Sequence, residues 1–147
     1  MKILLVCTGN TCRSCMAEGL LTDMLKNISK DSEITVQSAG IFAMPNQTAS
    51  ENALVAMKNQ SIDLSYHKSK QLTIDMIQES DLVLTMTNAH KQSILQSLPE
   101  ASEKVYTLKE YVGLGGDIQD PFGGSLVVYE ESLRDIKESL ELLIEKL

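Results

Sequence analysis

The stretch from Cys7 to Ser14 combines a nucleophile, an anion cradle and a positive charge in adjacent positions. Gly9 and Asn10 tolerate positive φ angles, so the backbone around them can curl and point several N–H groups inward. That positive field favours the thiolate of Cys7, and the planar guanidinium of Arg13 can hold two oxygens of a phosphate group. These residue types in this order predict phosphoryl transfer through a phosphocysteine intermediate.

Asp120 supplies the further group that this chemistry requires, a proton donor for the departing leaving group. It is followed by Pro121 within Gly113–Gly124, a glycine-rich segment long enough to suggest a functional loop. The same carboxylate can then accept a proton from the water that hydrolyses the phosphocysteine. Asp117 is a competing candidate, and both aspartates could simply favour a turn. Because Asp117 lacks the following proline, Asp120 is the predicted general acid.

Short apolar runs that alternate with segments of helical periodicity surround these residues. The predicted strands are Lys2–Val6, Ile34–Ser38 (ended by Ala39 and Gly40), Asp81–Met86 and Val105–Leu108. The predicted helices are one from Ser14, one after the capping-box sequence Thr48–Glu51, a short one at Thr73–Glu79, one that Pro99 ends and one along the stripe from Tyr129 to Leu147. Apolar strands alternating with helices predict a parallel sheet covered on both faces. The Cys7 loop would then lie at the carboxyl end of the first strand, where such sheets bind ligands.

The C-terminal apolar stripe from Tyr129 to Leu147 has helical spacing and admits two interpretations. It could seed a coiled coil, but it spans fewer than the roughly three to four heptads that this assignment requires. A helix that covers one face of the sheet is therefore predicted.

Composition places the chain among globular proteins, with residues 1–147 forming one domain. The formal net charge is −7 and only two arginines are present, which argues against a nucleic-acid-binding face. No apolar run approaches the length of a membrane span, and the run after Lys2 is too short for a signal peptide. Three cysteines between positions 7 and 15 fit a reducing compartment. We therefore expect a cytoplasmic protein that binds neither nucleic acid nor membranes. A monomer is also expected, although none of these features determines the oligomeric state.

The three cysteines, Cys7, Cys12 and Cys15, also admit explanations without phosphoryl transfer. Their spacing matches the opening of a plant-type iron–sulfur site, but the chain has no fourth cysteine. A zinc site would need His67 or His90, whose positions show no ligand-like spacing. Cys7 could also be a small buried thiol at the end of a strand. Since glycine, asparagine, arginine and serine share one loop with it, the sequence favours a catalytic role for Cys7 over that of a buried thiol. Because the ligand sets are incomplete, we expect no metal and no other cofactor.

The chain resembles the low-molecular-weight protein tyrosine phosphatase family nearly from end to end. The likeness rests on Cys7–Ser14, Ser38–Gly40, His67, Asp81–Met86 and Asp120–Phe122. Within that family it is similar to the bacterial protein-arginine phosphatase branch, through Thr11, Leu108–Val112 and Asp120–Gly124. Tyrosine-directed members usually carry isoleucine in place of Thr11 and tyrosine in place of Phe122. One departure is Cys15, which stands where the family normally has proline.

The resemblance implies a role for each residue of the motif. Cys7 would be the nucleophile, Arg13 the phosphate clamp and Asp120 the general acid. The residues that would bind phosphate or substrate, or shape the loop, are Thr8, Gly9, Asn10, Thr11, Cys12, Ser14, Phe122 and the supporting Ser38, with Ser14 donating to the thiolate. The implied fold is a single-domain three-layer α/β sandwich, in which a four-stranded parallel sheet of order 2-1-3-4 lies between helices.

Thr11 is the predicted determinant of substrate class. It is smaller than isoleucine, and its hydroxyl can hydrogen-bond a guanidino group or the attacking water. Phe122 would form an apolar wall at the entrance or pack within its loop. We therefore expect phosphorylated proteins as substrates, with phosphoarginine preferred, and inorganic phosphate as the product. A tyrosine phosphatase and a catalytically silent phosphate-binding module are the alternatives; an arsenate reductase would need a downstream pair of redox cysteines, which the chain lacks.

The family also implies a reversible disulfide between Cys7 and Cys12, which would shield an oxidised nucleophile from irreversible damage. Cys15 lies one helical turn beyond Cys12 and is a competing redox partner. His67 matches a family position that helps to hold the fold together. The aspartate that pairs with this histidine in tyrosine-directed relatives is replaced by Thr87.

Overall fold

Four parallel strands form the central sheet of the computed structural model, which describes all 147 residues. The strands are β1 (Lys2–Cys7), β2 (Thr35–Gly40), β3 (Leu82–Thr85) and β4 (Val105–Thr107). The helices are α1 (Arg13–Asn27), α2 (Glu51–Lys58), α3 (Ile74–Glu79), α4 (Asn88–Ser97), α5 (Leu108–Tyr111) and α6 (Leu126–Ile144), with a 3-10 turn at Pro99–Glu103. The strand order is β2-β1-β3-β4, which confirms the predicted parallel sheet and its order.

The central strand, β1, places the loop that follows Cys7 at the middle of the carboxyl edge of the sheet. Cys7 pairs with Gly40 of β2, and Val6 pairs with Thr85 of β3, so the carboxyl ends of three strands meet there. The four residues from Ile3 to Val6 are fully buried. A strand buried on both faces has no polar positions, which is why this segment reads as an unbroken apolar run.

Alternate residues of β1 enter two different cores, one on each face of the sheet. Ile3 and Leu5 belong to the larger core, with α1, α2 and α6. Leu4 and Val6 belong to a smaller core with α3 and α4. The two layers of helices are therefore both anchored on the strand that ends at Cys7.

The C-terminal helix α6 packs along α1 and α2, which confirms the covering helix predicted from the apolar stripe. Its buried apolar residues are Tyr129, Leu133, Ile136, Leu140 and Leu143. The helix begins at Leu126, three residues before the first residue of that stripe, and Ser125 provides its extended N-cap residue. No helix in the structure combines the length and apolarity needed to cross a membrane.

Two local predictions were wrong. The sequence Thr48–Glu51 does not form a capping box, because α2 begins after Ser50, whose hydroxyl donates to the Tyr129 hydroxyl instead of capping the helix. Ala39 and Gly40 do not end β2 but are its last residues. A Cβ on Gly40 would lie 2.5 Å from the carbonyl oxygen of Thr8, so glycine is needed there for close backbone approach.

Candidate active site

Cys7 ends β1 with its sulfur facing two hydrogen-bonding groups of the following loop. The Ser14 hydroxyl lies 2.8 Å from Cys7 Sγ, and the backbone N–H of Asn10 donates to the same sulfur at 3.3 Å. Because Asn10 Nδ2 already donates to the Ser14 oxygen at 2.8 Å, the Ser14 proton is free to point at the sulfur. Both groups can thus donate to a thiolate.

Asn10 holds the loop in its curled form. Its φ of 59° lies in the left-handed region that asparagine tolerates better than most residues. Its side-chain N–H groups donate to Ser14 and to Ser38 Oγ, the latter at 2.9 Å, and its side-chain oxygen accepts from the backbone N–H of Lys70 at 3.0 Å. His67 Nε2 contacts the Asn10 carbonyl oxygen at 2.6 Å. A fully buried asparagine with every polar group bonded fixes the loop on several elements at once.

Glu18, which the sequence analysis did not single out, extends this network. Ser38 donates its hydroxyl proton to Glu18 Oε1 at 2.7 Å, so the Ser38 oxygen remains available to Asn10. The residue lies four positions after Ser14, on the same face of α1. The only sequence signal was this helical spacing, which does not by itself identify a partner.

Arg13 is the first residue of α1, and its side chain is 5% exposed. Nη1 donates to the carbonyl oxygen of Ile118 at 3.0 Å, and Nη2 lies 3.5 Å from Thr8 Oγ1. Nη2 also lies 3.6 Å from a carboxylate oxygen of Asp120. The guanidinium is therefore held at the cavity edge by groups from two loops.

Asp120 extends over the same cavity from the opposite loop, and its side chain is about half exposed. One carboxylate oxygen accepts from the backbone N–H of Phe122 at 3.1 Å, while the other faces Arg13. Asp117, the competing candidate, accepts from the backbone N–H of Asn88 at the start of α4 at 2.9 Å. Of the two aspartates, only Asp120 lines the cavity.

A cavity of about 210 Å³ opens at this edge of the sheet. It is lined by Cys7, Thr8, Gly9, Thr11, Cys12, Arg13, Asp120 and Phe122. The remaining predicted site residues, Asn10, Ser14 and Ser38, are fully buried behind the loop. Phe122 is 76% exposed, so it stands at the entrance and is not packed within its own loop. A larger cleft of about 390 Å³ between α1 and α6 is lined by no cysteine and no arginine.

Cys12 and Cys15 have different surroundings although they are one helical turn apart. Cys12 lines the cavity, and its sulfur lies 3.3 Å from the Tyr129 hydroxyl and 3.4 Å from the Ser50 hydroxyl. Burial and the hydrogen bond with Cys12 raise the pKa of Tyr129 to about 12. Cys15 is 1% exposed and donates to the carbonyl oxygen of Cys12 at 3.2 Å. Burial raises the pKa of Cys15 well above its ordinary value, which keeps this thiol protonated.

The second histidine, His90, also reaches the loop, which the sequence did not indicate. Its Nε2 lies 2.8 Å from Thr8 Oγ1, and its Nδ1 lies 3.0 Å from Thr87 Oγ1. Thr87 therefore pairs with His90, while His67 contacts Asn10. Burial, followed by the positive charge of Arg13, lowers the pKa of His90 from 6.5 to about 4. The imidazole is neutral at physiological pH.

Known proteins share this sequence and fold over their whole length. The family model described as low molecular weight phosphotyrosine protein phosphatase matches residues 2–147. A protein-arginine-phosphatase from Bacillus subtilis (strain 168) is 43% identical over 148 aligned residues, covering 100% of this chain and 97% of the relative. Two solved structures superpose with TM-scores of 0.95 at 42% identity: a low molecular weight protein tyrosine phosphatase from T. tengcongensis, and a mutant of the arginine phosphatase YwlE with a phosphorylated active site serine. The alignments cover 100% of this chain and 99% and 95% of those two chains.

Proposed function

Because the chain belongs to the low molecular weight phosphotyrosine protein phosphatase family, we propose that it hydrolyses phosphoarginine in proteins, with Cys7 as nucleophile. The family acts through a phosphorylated cysteine. The observation that carries the assignment of residues is the single cavity that Cys7, Arg13 and Asp120 line together. It provides a nucleophile, a positive charge and a carboxyl group on the surface that a phosphoryl group would occupy.

The first half of the reaction transfers the phosphoryl group to the enzyme. The Cys7 thiolate forms a bond to phosphorus while the bond from phosphorus to the guanidino nitrogen breaks, and Asp120 gives its proton to that nitrogen. Arg13, whose Nη1 is fixed on the Ile118 carbonyl oxygen, stabilises the charge on the transferring oxygens. Backbone N–H groups of the loop between Cys7 and Arg13 also stabilise this charge.

The second half releases inorganic phosphate. Water attacks phosphorus, Asp120 accepts a proton from that water, and the bond from phosphorus to sulfur breaks to regenerate the thiolate. The Ser14 hydroxyl and the Asn10 N–H, which both face the sulfur, stabilise it as a leaving group. All residues in this cycle belong to one chain, so the activity requires no second copy, and a reducing compartment such as the cytoplasm suits the free thiols.

Thr11 and Phe122 support phosphoarginine as the preferred substrate. Thr11 lines the cavity beside Cys12, and its backbone carbonyl is fixed by the N–H of Ser50 at 2.9 Å. Its hydroxyl can accept from a guanidino N–H or orient the attacking water. Phe122 offers an exposed apolar ring against the methylene stem of an arginine side chain. The relative from Bacillus subtilis is named a protein-arginine-phosphatase.

Replacing Thr11 by isoleucine should lower the ratio of phosphoarginine to phosphotyrosine activity by about 10- to 100-fold, the effect of one side chain in a pocket. Isoleucine removes the hydroxyl and adds apolar surface that suits an aromatic ring. The measurement is kcat/KM on two peptides that differ only in the phosphorylated residue. Thr11→Val, which removes the hydroxyl with little added volume, separates the two causes. An unchanged ratio in Thr11→Ile would show that Thr11 does not select the substrate.

Tyrosine phosphatase activity is the second candidate, because the family description and the T. tengcongensis structure both name phosphotyrosine or tyrosine phosphatases. The same peptide pair distinguishes it. Wild-type enzyme that hydrolyses phosphotyrosine more efficiently than phosphoarginine would transfer the assignment to that candidate.

We also propose that Cys12 protects Cys7 from irreversible oxidation. Peroxide converts the Cys7 thiolate to a sulfenic acid, and the Cys12 sulfur then displaces hydroxide to form a disulfide, which a thiol reductant reverses. Cys12 fits this role because it lines the same cavity as Cys7, whereas the Cys15 proton is bonded to a backbone carbonyl.

After peroxide treatment, dithiothreitol should restore most of the wild-type activity but little of the Cys12→Ser activity, because a sulfinic acid on Cys7 is not reduced. Cys15→Ser is the matched control and should recover like wild type. Recovery of Cys12→Ser to the wild-type level would exclude Cys12, and failure of Cys15→Ser alone would assign the role to Cys15.

A further inference from the structure

His90 contacts the phosphate-binding loop from behind, without lining the cavity itself. Its Nε2 lies 2.8 Å from the hydroxyl oxygen of Thr8, and that oxygen lies 3.5 Å from Nη2 of Arg13. His90 is buried, with 7% of its surface exposed. One threonine hydroxyl thus joins a histidine of α4 to the arginine that would bind phosphate.

One direction in this chain of hydrogen bonds is fixed by the chemistry of its groups. A guanidinium has no acceptor, so Arg13 donates to the Thr8 oxygen. The single proton of Thr8 can then be donated to His90 Nε2 when that nitrogen is unprotonated. In that arrangement the proton of the neutral imidazole lies on Nδ1 and is donated to Thr87 Oγ1 at 3.0 Å.

The surrounding charges agree with a neutral imidazole. Arg13 faces His90 from α1, and a second positive charge there would be repelled. Asp117 and Asp120, from the loop before α6, act in the opposite direction but less strongly than burial and Arg13. The net result of these groups is the lowered pKa of His90.

We propose that neutral His90 is a positioning residue for catalysis, which holds the Thr8 oxygen toward Arg13 and so orients the guanidinium for phosphate. The inference rests on the proposed phosphatase activity but not on its preference for phosphoarginine. Because His90 acts through Arg13, it affects every phosphorylated substrate alike.

The first test compares His90→Leu with His90→Gln, whose side-chain amide oxygen can still accept from Thr8. For His90→Leu we expect kcat/KM to fall about tenfold on both phosphoarginine and phosphotyrosine peptides, since a misplaced binding group weakens catalysis. KM and the inhibition constant of inorganic phosphate should rise in parallel, and His90→Gln should recover most of the loss. A smaller folded fraction would lower kcat without changing KM. Gln92→Ala, an exposed change on α4, is the matched control.

A double substitution tests whether His90 works through Thr8. Thr8→Val should produce the same loss as His90→Leu, and the combined variant should be no worse than either one, because the second change removes a contact that is already lost. Additive losses would overturn the proposed connection. If wild-type enzyme hydrolyses neither peptide, the proposed function fails; if it hydrolyses one or both and His90→Leu leaves KM and phosphate inhibition unchanged, only this inference fails.

A third test does not depend on activity. The chain has two histidines, and the proposal places their protons on opposite ring nitrogens. His67 Nε2 must be protonated, because its partner is the Asn10 carbonyl oxygen, whereas the proposal has His90 protonated on Nδ1. In nitrogen-15 NMR spectra at pH 7, the signals that disappear in His90→Gln should show the Nδ1–H form. An imidazolium or an Nε2–H form of His90 would overturn the proposal.

Discussion

Replacing Cys7 by serine is expected to reduce phosphatase turnover by more than about 10⁴-fold, the scale on which removal of a covalent nucleophile acts. The loop can still bind phosphate, because Arg13 and the backbone N–H groups are unchanged. A serine hydroxyl, however, is far less acidic than a thiol, so the groups that face the sulfur have no anion to stabilise. The loss should therefore lie in kcat, while the inhibition constant of inorganic phosphate remains within a few-fold of wild type.

The wild-type enzyme supplies the complementary measurement. Acid quenching during turnover should trap phosphate on the enzyme. Mass spectrometry should locate this phosphate on Cys7 and not on Cys12 or Cys15. Cys15→Ser is the matched control, since Cys15 is buried away from the cavity lining, and it should retain most of the activity. Retention of wild-type velocity by Cys7→Ser would remove the covalent mechanism, and with it the proposed function.

Asp120→Asn is expected to lower kcat for phosphoarginine on the order of 10³-fold, within the usual range for loss of a general acid. A guanidine is a poor leaving group unless it is protonated as it departs. Asparagine keeps an oxygen for the Phe122 N–H but has no proton to transfer at neutral pH. Substrates whose leaving group needs no proton, such as para-nitrophenyl phosphate, should lose much less activity in the first step.

Asp117→Asn provides the matched control in the same loop. Its carboxylate accepts from the first N–H of α4, so the substitution should cost about 0.5 kcal/mol of stability and little activity. Burst kinetics on para-nitrophenyl phosphate separate the two steps, because Asp120→Asn should slow hydrolysis of the phosphocysteine more than its formation. Equal losses in Asp117→Asn and Asp120→Asn would reject Asp120 as the acid.

The sheet was predictable because β1 and α6 carry strong local patterns. Four consecutive fully buried residues in β1 follow from its position at the centre of a parallel sheet, and the stripe of α6 follows from one buried face. The end of β2 was missed because Ala39 and Gly40 resemble a turn. Glycine is needed at position 40 because Thr8, which lies far away in sequence, approaches it closely.

The site residues also fall into two groups, those predictable from the local sequence and those that only tertiary contacts reveal. The loop residues are contiguous, so their types and order alone suggested a phosphate cradle. Glu18 and His90 were missed because their contacts, with Ser38 and Thr8, join elements that only the tertiary structure brings together. Tyr129 was identified only as a core residue of α6, since nothing in its local pattern shows that its hydroxyl faces Cys12.

The absence of a side chain at Gly40 has a consequence for attempts to alter the enzyme. The Thr8 carbonyl oxygen occupies the space where any other residue would place its first carbon atom, so even alanine would displace the phosphate loop. The exposed ring of Phe122 has no such neighbour to disturb. Libraries designed to change substrate range should therefore vary the entrance at Phe122 and keep position 40 constant.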